Sequence, residues 1–145
     1  MDWEGRLSSE GLRVTAPRRV VMDVLSGARE PLAPHEIWEQ GRRVHRTLGL
    51  VTVYRTLSLL ERFSWVRRVH RADGCHGYLL CSAGHAHAII CRDCGQAAEF
   101  PGTDDLGGLI ADVEASTGYR VDSHLLQLSG QCAQCRARRV AGEPE

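Results

Sequence analysis

The residues of this chain best suited to chemistry are cysteines in two short pairs, Cys91-Arg92-Asp93-Cys94 and Cys132-Ala133-Gln134-Cys135. A Cys-x-x-Cys turn sets two sulfurs at two corners of a tetrahedron, and a second turn brought alongside completes the geometry that zinc prefers. Four thiolates leave no position open for water, so the expected ion is structural and not catalytic. The stretch from Gly95 to Gln131 is longer than the loop of a simple zinc ribbon, so the elements inside it must fold before the pairs can meet. A redox role for Cys91 and Cys94 would need the strand-to-helix setting of a thioredoxin motif, and would leave Cys132 and Cys135 unexplained.

A second, scattered set comprises His70, Cys81, His85, His87 and Glu99, with Cys75, His76 and His124 in its background. One sulfur, one or two imidazoles and one carboxylate suit zinc, because a thiolate disfavours magnesium and manganese. Taken singly, His70 reads as a solvated residue and Cys81 as a small buried apolar one. His70 and Cys81 fall on opposite arms of an expected hairpin, and the other three lie just beyond an expected joint between two domains. A metal held by all of them would set the relative orientation of those domains.

The elements that must position these residues follow from apolar spacing. Trp3 and Leu7 share one face of a short first helix. Thr15 caps a second, with Pro17 in its first turn and Val20, Val21, Val24 and Leu25 as its stripe. A third helix after Pro34 turns Ile37, Trp38 and Gly41 inward. A fourth, capped by Thr52, buries Val53, Leu57, Leu60 and Phe63 and leaves Thr52, Tyr54, Arg55, Ser58 and Arg62 outward. Two extended runs, 65–71 and 77–81, meet around Ala72-Asp73-Gly74. Helices followed by a hairpin are the plan of a winged helix-turn-helix, placed here at residues 1–82. Residues 83–145 read as a smaller α/β unit. Strands flank the first cysteine pair, a helix through Leu106, Ile110 and Val113 stops near Gly118, Val121 to Leu128 forms a strand, and a frayed tail begins near Arg136. The expected class is α+β.

With 145 residues, 43% of them hydrophobic, the chain suits one or two small domains. Its 18 basic residues are all arginine and balance 18 acidic ones, yet the arginines crowd the first half and acids thicken from Asp93 to Glu114. A basic first part is compatible with DNA, because guanidinium forks onto phosphate and guanine. No apolar run approaches the roughly 20 residues that span a bilayer, and Met1-Asp2-Trp3-Glu4 lacks a signal pattern, so a cytoplasmic location is expected. The deaminase signature and His-Glu-x-x-His are both absent, which argues against a zinc enzyme.

In order, Gly11-Leu12-Arg13-Val14-Thr15-Ala16-Pro17-Arg18, Gly49-Leu50-Val51-Thr52-Val53-Tyr54-Arg55-Thr56-Leu57, Cys91 to Gly95 with Glu99-Phe100, and Gly130-Gln131-Cys132 to Cys135 resemble the ferric uptake regulator (Fur) family over nearly the whole chain. The resemblance implies a homodimeric repressor that binds a pseudo-palindromic, AT-rich, double-stranded operator when loaded with a metal corepressor. It implies DNA contacts from Tyr54 and Arg55 on the recognition helix, with Arg13, Arg18 and Thr52 nearby. Where iron sensors usually carry histidines, this chain has Leu32 and Ala88. His70, Cys81, a histidine at 85 or 87, and Glu99 instead resemble the zinc uptake regulator (Zur) branch, with zinc as both structural and regulatory ion. A further site of the kind some members build would use His85, His87, Asp105 and His124.

Overall fold

The computed structural model describes residues 3–71, 73–81, 86–102 and 106–141. The chain divides into two compact units, Met1–Cys81 and Ser82–Glu145.

The first unit holds α1 (Trp3–Ser9), α2 (Ala16–Gly27), α3 (Pro34–Val44), α4 (Leu50–Arg62), β1 (Val66–His70) and β2 (His76–Leu80). Thr15 and Pro17 start α2 as the sequence leads one to expect, though Thr15 caps through its extended backbone and not its side chain. The apolar stripes converge on one core of Leu7, Val21, Met22, Leu25, Leu32, Ile37, Leu48, Val53, Leu57, Leu60, Trp65 and Val66. At Gly41 α3 passes close to its neighbours: a Cβ there would lie 2.6 Å from Leu48 Cδ2 and 3.0 Å from Val20 Cγ1. Trp38 Nε1 donates to the Leu48 carbonyl at 2.9 Å, fixing the turn between α3 and α4.

Two expectations change in this unit. The cap of α4 is Gly49, and Thr52 lies inside the first turn, where its carbonyl accepts from Thr56 Oγ1 at 2.8 Å. The helix thus begins three residues earlier than expected, and Leu50, Val51 and Thr52 become helical. The β1–β2 hairpin is antiparallel, with Val66 opposite Leu80 and His70 opposite His76. Leu32 and Tyr78 exchange backbone hydrogen bonds at 3.1 and 2.8 Å, which ties the hairpin to the segment before α3. Arg71 of the hairpin also pairs with Glu36 on α3 at 2.5 Å.

The second unit contains β3 (Ala86–Cys91), β4 (Ala97–Pro101), α5 (Gly107–Thr117), β5 (Gln127–Gly130) and α6 (Ala133–Ala141). The strand order is β4-β3-β5, antiparallel between β4 and β3 and parallel between β3 and β5. A parallel neighbour requires a crossover, and α5 lies within it. Gly118, at φ +73°, ends α5 in the left-handed cap that glycine accepts without strain. The strand expected over 121–128 is confined to Gln127–Gly130, because only there does β3 offer a paired edge. The tail expected to fray from Arg136 instead continues as α6.

Candidate metal centre and nucleic-acid interface

β3 ends at Cys91 and β5 at Gly130, and these two residues are register partners. That pairing brings the two cysteine turns together, because Arg92 N–H donates to the Gly130 carbonyl at 2.9 Å immediately before each turn. The first turn closes through Gly95, whose N–H donates to the Cys91 carbonyl at 2.9 Å and whose φ of +74° suits glycine. Gln131 Nε2 donates to Asp93 Oδ2 across the two turns. Neither residue was legible as functional from its type, although both lie inside or beside the cysteine pairs.

The four sulfurs of Cys91, Cys94, Cys132 and Cys135 lie within 4.8 Å of one another. Cys94 Sγ and Cys132 Sγ are 3.8 Å apart, the edge of a tetrahedron with zinc–sulfur bonds of about 2.3 Å. The donor set fits a closed four-thiolate site. Backbone N–H groups already favour one thiolate. Those of Cys132, at 3.3 Å, and of Cys94 and Asp93 bring the Cys91 thiol down to about 6. The hydrogen bond with the Cys132 sulfur, helped by burial, pushes Cys135 up to about 12. At Cys94 the Gln96 N–H pulls down, but burial and the neighbouring sulfurs prevail and raise it. Crowded thiols resist shedding their protons together until a cation neutralises the charge.

The scattered set does not assemble as the sequence suggests. In the hairpin, His70 sits beside the turn, its ring 4.4 Å from that of His76. Cys81 is buried at the opposite end, where its N–H donates to the Trp65 carbonyl at 2.8 Å. Four residue steps, from Val66 to His70, separate the two ends by roughly 13 Å, so one ion cannot hold both side chains. Register also parts His87 from Glu99. His87 faces the same side as Phe100, its partner on β4, whereas Glu99 pairs with Ala88 and faces the other side. His87, 3% exposed, instead meets His124, with ring centroids 5.4 Å apart. The local context of His124 carries no ligand pattern, and only the family resemblance groups it with His87; in the structure the return of the chain beside β3 brings it near. His85, Asp105 and the expected joint between the two domains lie outside the described residues.

On α4, Val53, Thr56, Leu57 and Leu60 are buried, while Tyr54 and Arg55 are exposed. Thr52 is half-buried. Arg13 is exposed, and Arg18 donates to the Arg13 carbonyl, holding the approach to α2. The first turn of α4 contains no acidic residue. A positive helix N-terminus with outward arginine and tyrosine is suited to a polyanion with readable edges.

The ferric uptake regulator family model matches residues 9–129. The ferric uptake regulation protein of Neisseria meningitidis is 31% identical over 134 residues, covering 92% of each chain. The zinc uptake regulation protein of Mycobacterium tuberculosis is 30% identical over 131 residues, covering 90% of this chain and all of that one. A solved zinc uptake regulator complexed with zinc and DNA superposes with a TM-score of 0.78 over 94% of this chain and 92% of that one, and at 21% identity the likeness is one of fold. The Vibrio cholerae ferric uptake regulator superposes with a TM-score of 0.59 at 28% identity, over 90% of this chain and all of that one. With its winged helix, its four-cysteine unit and a family match across most of its length, the chain belongs to the ferric uptake regulator family.

Proposed function

We propose that the protein is a zinc-responsive, DNA-binding transcriptional repressor of zinc-uptake and homeostasis genes, working in the cytoplasm as a homodimer with zinc as corepressor. The observation that carries the sensing role is the contact between His87 and His124, two imidazoles brought together by tertiary structure in the unit that holds the four-cysteine cluster. The proposed sensing ligands are His87 and His124, completed by His85 and Asp105. An imidazole-rich set with one carboxylate suits zinc better than manganese. His70 leaves the set because of its place in the hairpin and Glu99 because of its face of the sheet, whereas Cys81 stays a candidate that the Cys81→Ser arm below tests.

A second reading, iron sensing, is favoured by the equal similarity to iron and zinc regulators among relatives. Homodimerisation is supported by the second unit's outer surface. α5 has no buried residue, and Leu109, Val113, Tyr119, Leu125 and Leu128 are 61%, 38%, 77%, 62% and 43% exposed. A second copy would cover such a surface. Tyr54 and Arg55 are the proposed base-contacting residues, and Arg13 and Arg18 line the approach.

The test is DNA affinity, on duplexes selected from a random pool, against free zinc, iron(II) and manganese, for the native protein, His124→Ala and Cys81→Ser. Zinc should strengthen native binding at least about tenfold, equivalent to about 1.4 kcal/mol. His124→Ala should lose that response while keeping its four-cysteine zinc. Response to iron alone would replace zinc sensing with iron sensing. Loss of the response in Cys81→Ser and not in His124→Ala would move the sensing site.

A further inference from the structure

We propose that Val51, with Leu50 beside it, is a specificity-determining residue that reads the 5-methyl group of thymine in the major groove. The inference rests on the DNA-binding reading above and deepens it.

Val51 is 63% exposed and Leu50 36%, both on the first turn of α4. The core does not need them, because Val53, Leu57 and Leu60 already bury the inner face. A helix entering solvent gains from acidic residues in its first turn, and α4 has none. Two aliphatic side chains stand there instead. Val51, Tyr54 and Arg55 are spaced at i, i+3 and i+4, so they share one face, and Leu50 stands one turn before Tyr54.

The surroundings identify the occupant. From Gln40 to Leu60 the chain contains no acidic residue, while Arg42, Arg43, Arg46 and Arg55 are all exposed. Charge complementarity therefore selects a polyanion, yet the first turn of α4 within this basic segment presents apolar side chains. In the major groove of a duplex, the thymine methyl is the apolar group among base-edge donors and acceptors. A branched aliphatic side chain can bury that methyl and cannot satisfy a cytosine amino group in the same place.

The experiment first selects duplexes from a random pool with the zinc-loaded native protein, then replaces each thymine singly by deoxyuridine, which removes only the methyl. Affinities are measured for the native protein, Val51→Ala and Val51→Thr, with Arg55→Ala as the control for specific binding. At one or more thymines the native protein should lose about fourfold on substitution, the value of one buried methyl. Val51→Ala should be indifferent there and should already bind the thymine duplex more weakly. Val51→Thr keeps the shape of the side chain and should fall between the two. Because Val51 is exposed, thermal melts of the variants should match the native protein; a melt shifted in Val51→Ala leaves the comparison to Val51→Thr. Selection that depends on Arg55, with a deoxyuridine effect the same in all Val51 variants, would overturn this inference alone. Failure of the native protein to select any duplex would overturn the DNA-binding reading and this inference with it.

Discussion

Zinc binding at the four-cysteine cluster should tighten steeply as pH rises from about 6.5 to about 8, because protons and the ion compete for the same sulfurs. The size of the effect follows from the thiols. Cys91, brought down to about 6 by the N–H groups of Cys132, Cys94 and Asp93, is largely ionised across the upper part of that range. Cys135 is pushed up to about 12 by its hydrogen bond with Cys132 and by burial, and Cys94 is also raised above the ordinary thiol value. Those two enter the reaction protonated and must leave it as thiolates. Each ion bound therefore releases at least about two protons, and affinity should change by about a hundredfold per pH unit, weaker on the acid side. Competition against a chromophoric chelator of calibrated pH dependence measures the slope. Calorimetry in two buffers of different ionisation enthalpy counts the protons independently. Cys135→Ser should lower both the affinity and the slope, the latter by about one proton. A native slope below one decade per pH unit, or no proton release, would refute the reasoning that crowding keeps these thiols neutral until the ion arrives.

Gly41→Val should destabilise the first unit by about 1–3 kcal/mol, because the added carbons meet Leu48 and Val20 where α3 crosses its neighbours; an unchanged urea midpoint would refute that close approach. Glu36 is held below its usual value although burial opposes the shift, since Arg71 and the Ala33 N–H, at 2.6 Å, outweigh it. A lowered carboxylate contributes stability above its unfolded value near 4.5 that is lost as pH falls through the folded one. Glu36→Gln should therefore lower the melting temperature at neutral pH, by less than the equivalent of about 2 kcal/mol for this partly exposed pair, and flatten its decline between about pH 5 and about pH 3. A variant that melts with the same acid dependence as the native protein would remove Glu36 from the account.

Much of the first unit was legible because its helices carry their own instructions. Val20, Val21, Val24 and Leu25 repeat at helical spacing and Pro17 presets a first turn, all within a few residues. The start of α4 was less legible. Thr52 is a good capping residue by type, but packing of Leu48 and Val53 into the core draws the preceding turn into the helix. The same shift exposes Val51 on the face of Tyr54. In the second unit the strand expected over 121–128 shortened because a strand forms only where a partner edge exists, and an edge is a property of the sheet.

The sequence by itself determined the four-cysteine ligand set, since sulfur chemistry and two-residue spacing are local facts that hold wherever the turns end up. It also determined the outward face of α4, which helical periodicity alone supplies. The grouping of the histidines was decided only by the tertiary structure. Hairpin register carried His70 away from Cys81, strand alternation set His87 and Glu99 on opposite faces, and the return of the chain alongside β3 brought His124 to His87. A metal site assembled from distant segments depends on distances that residue numbers do not contain.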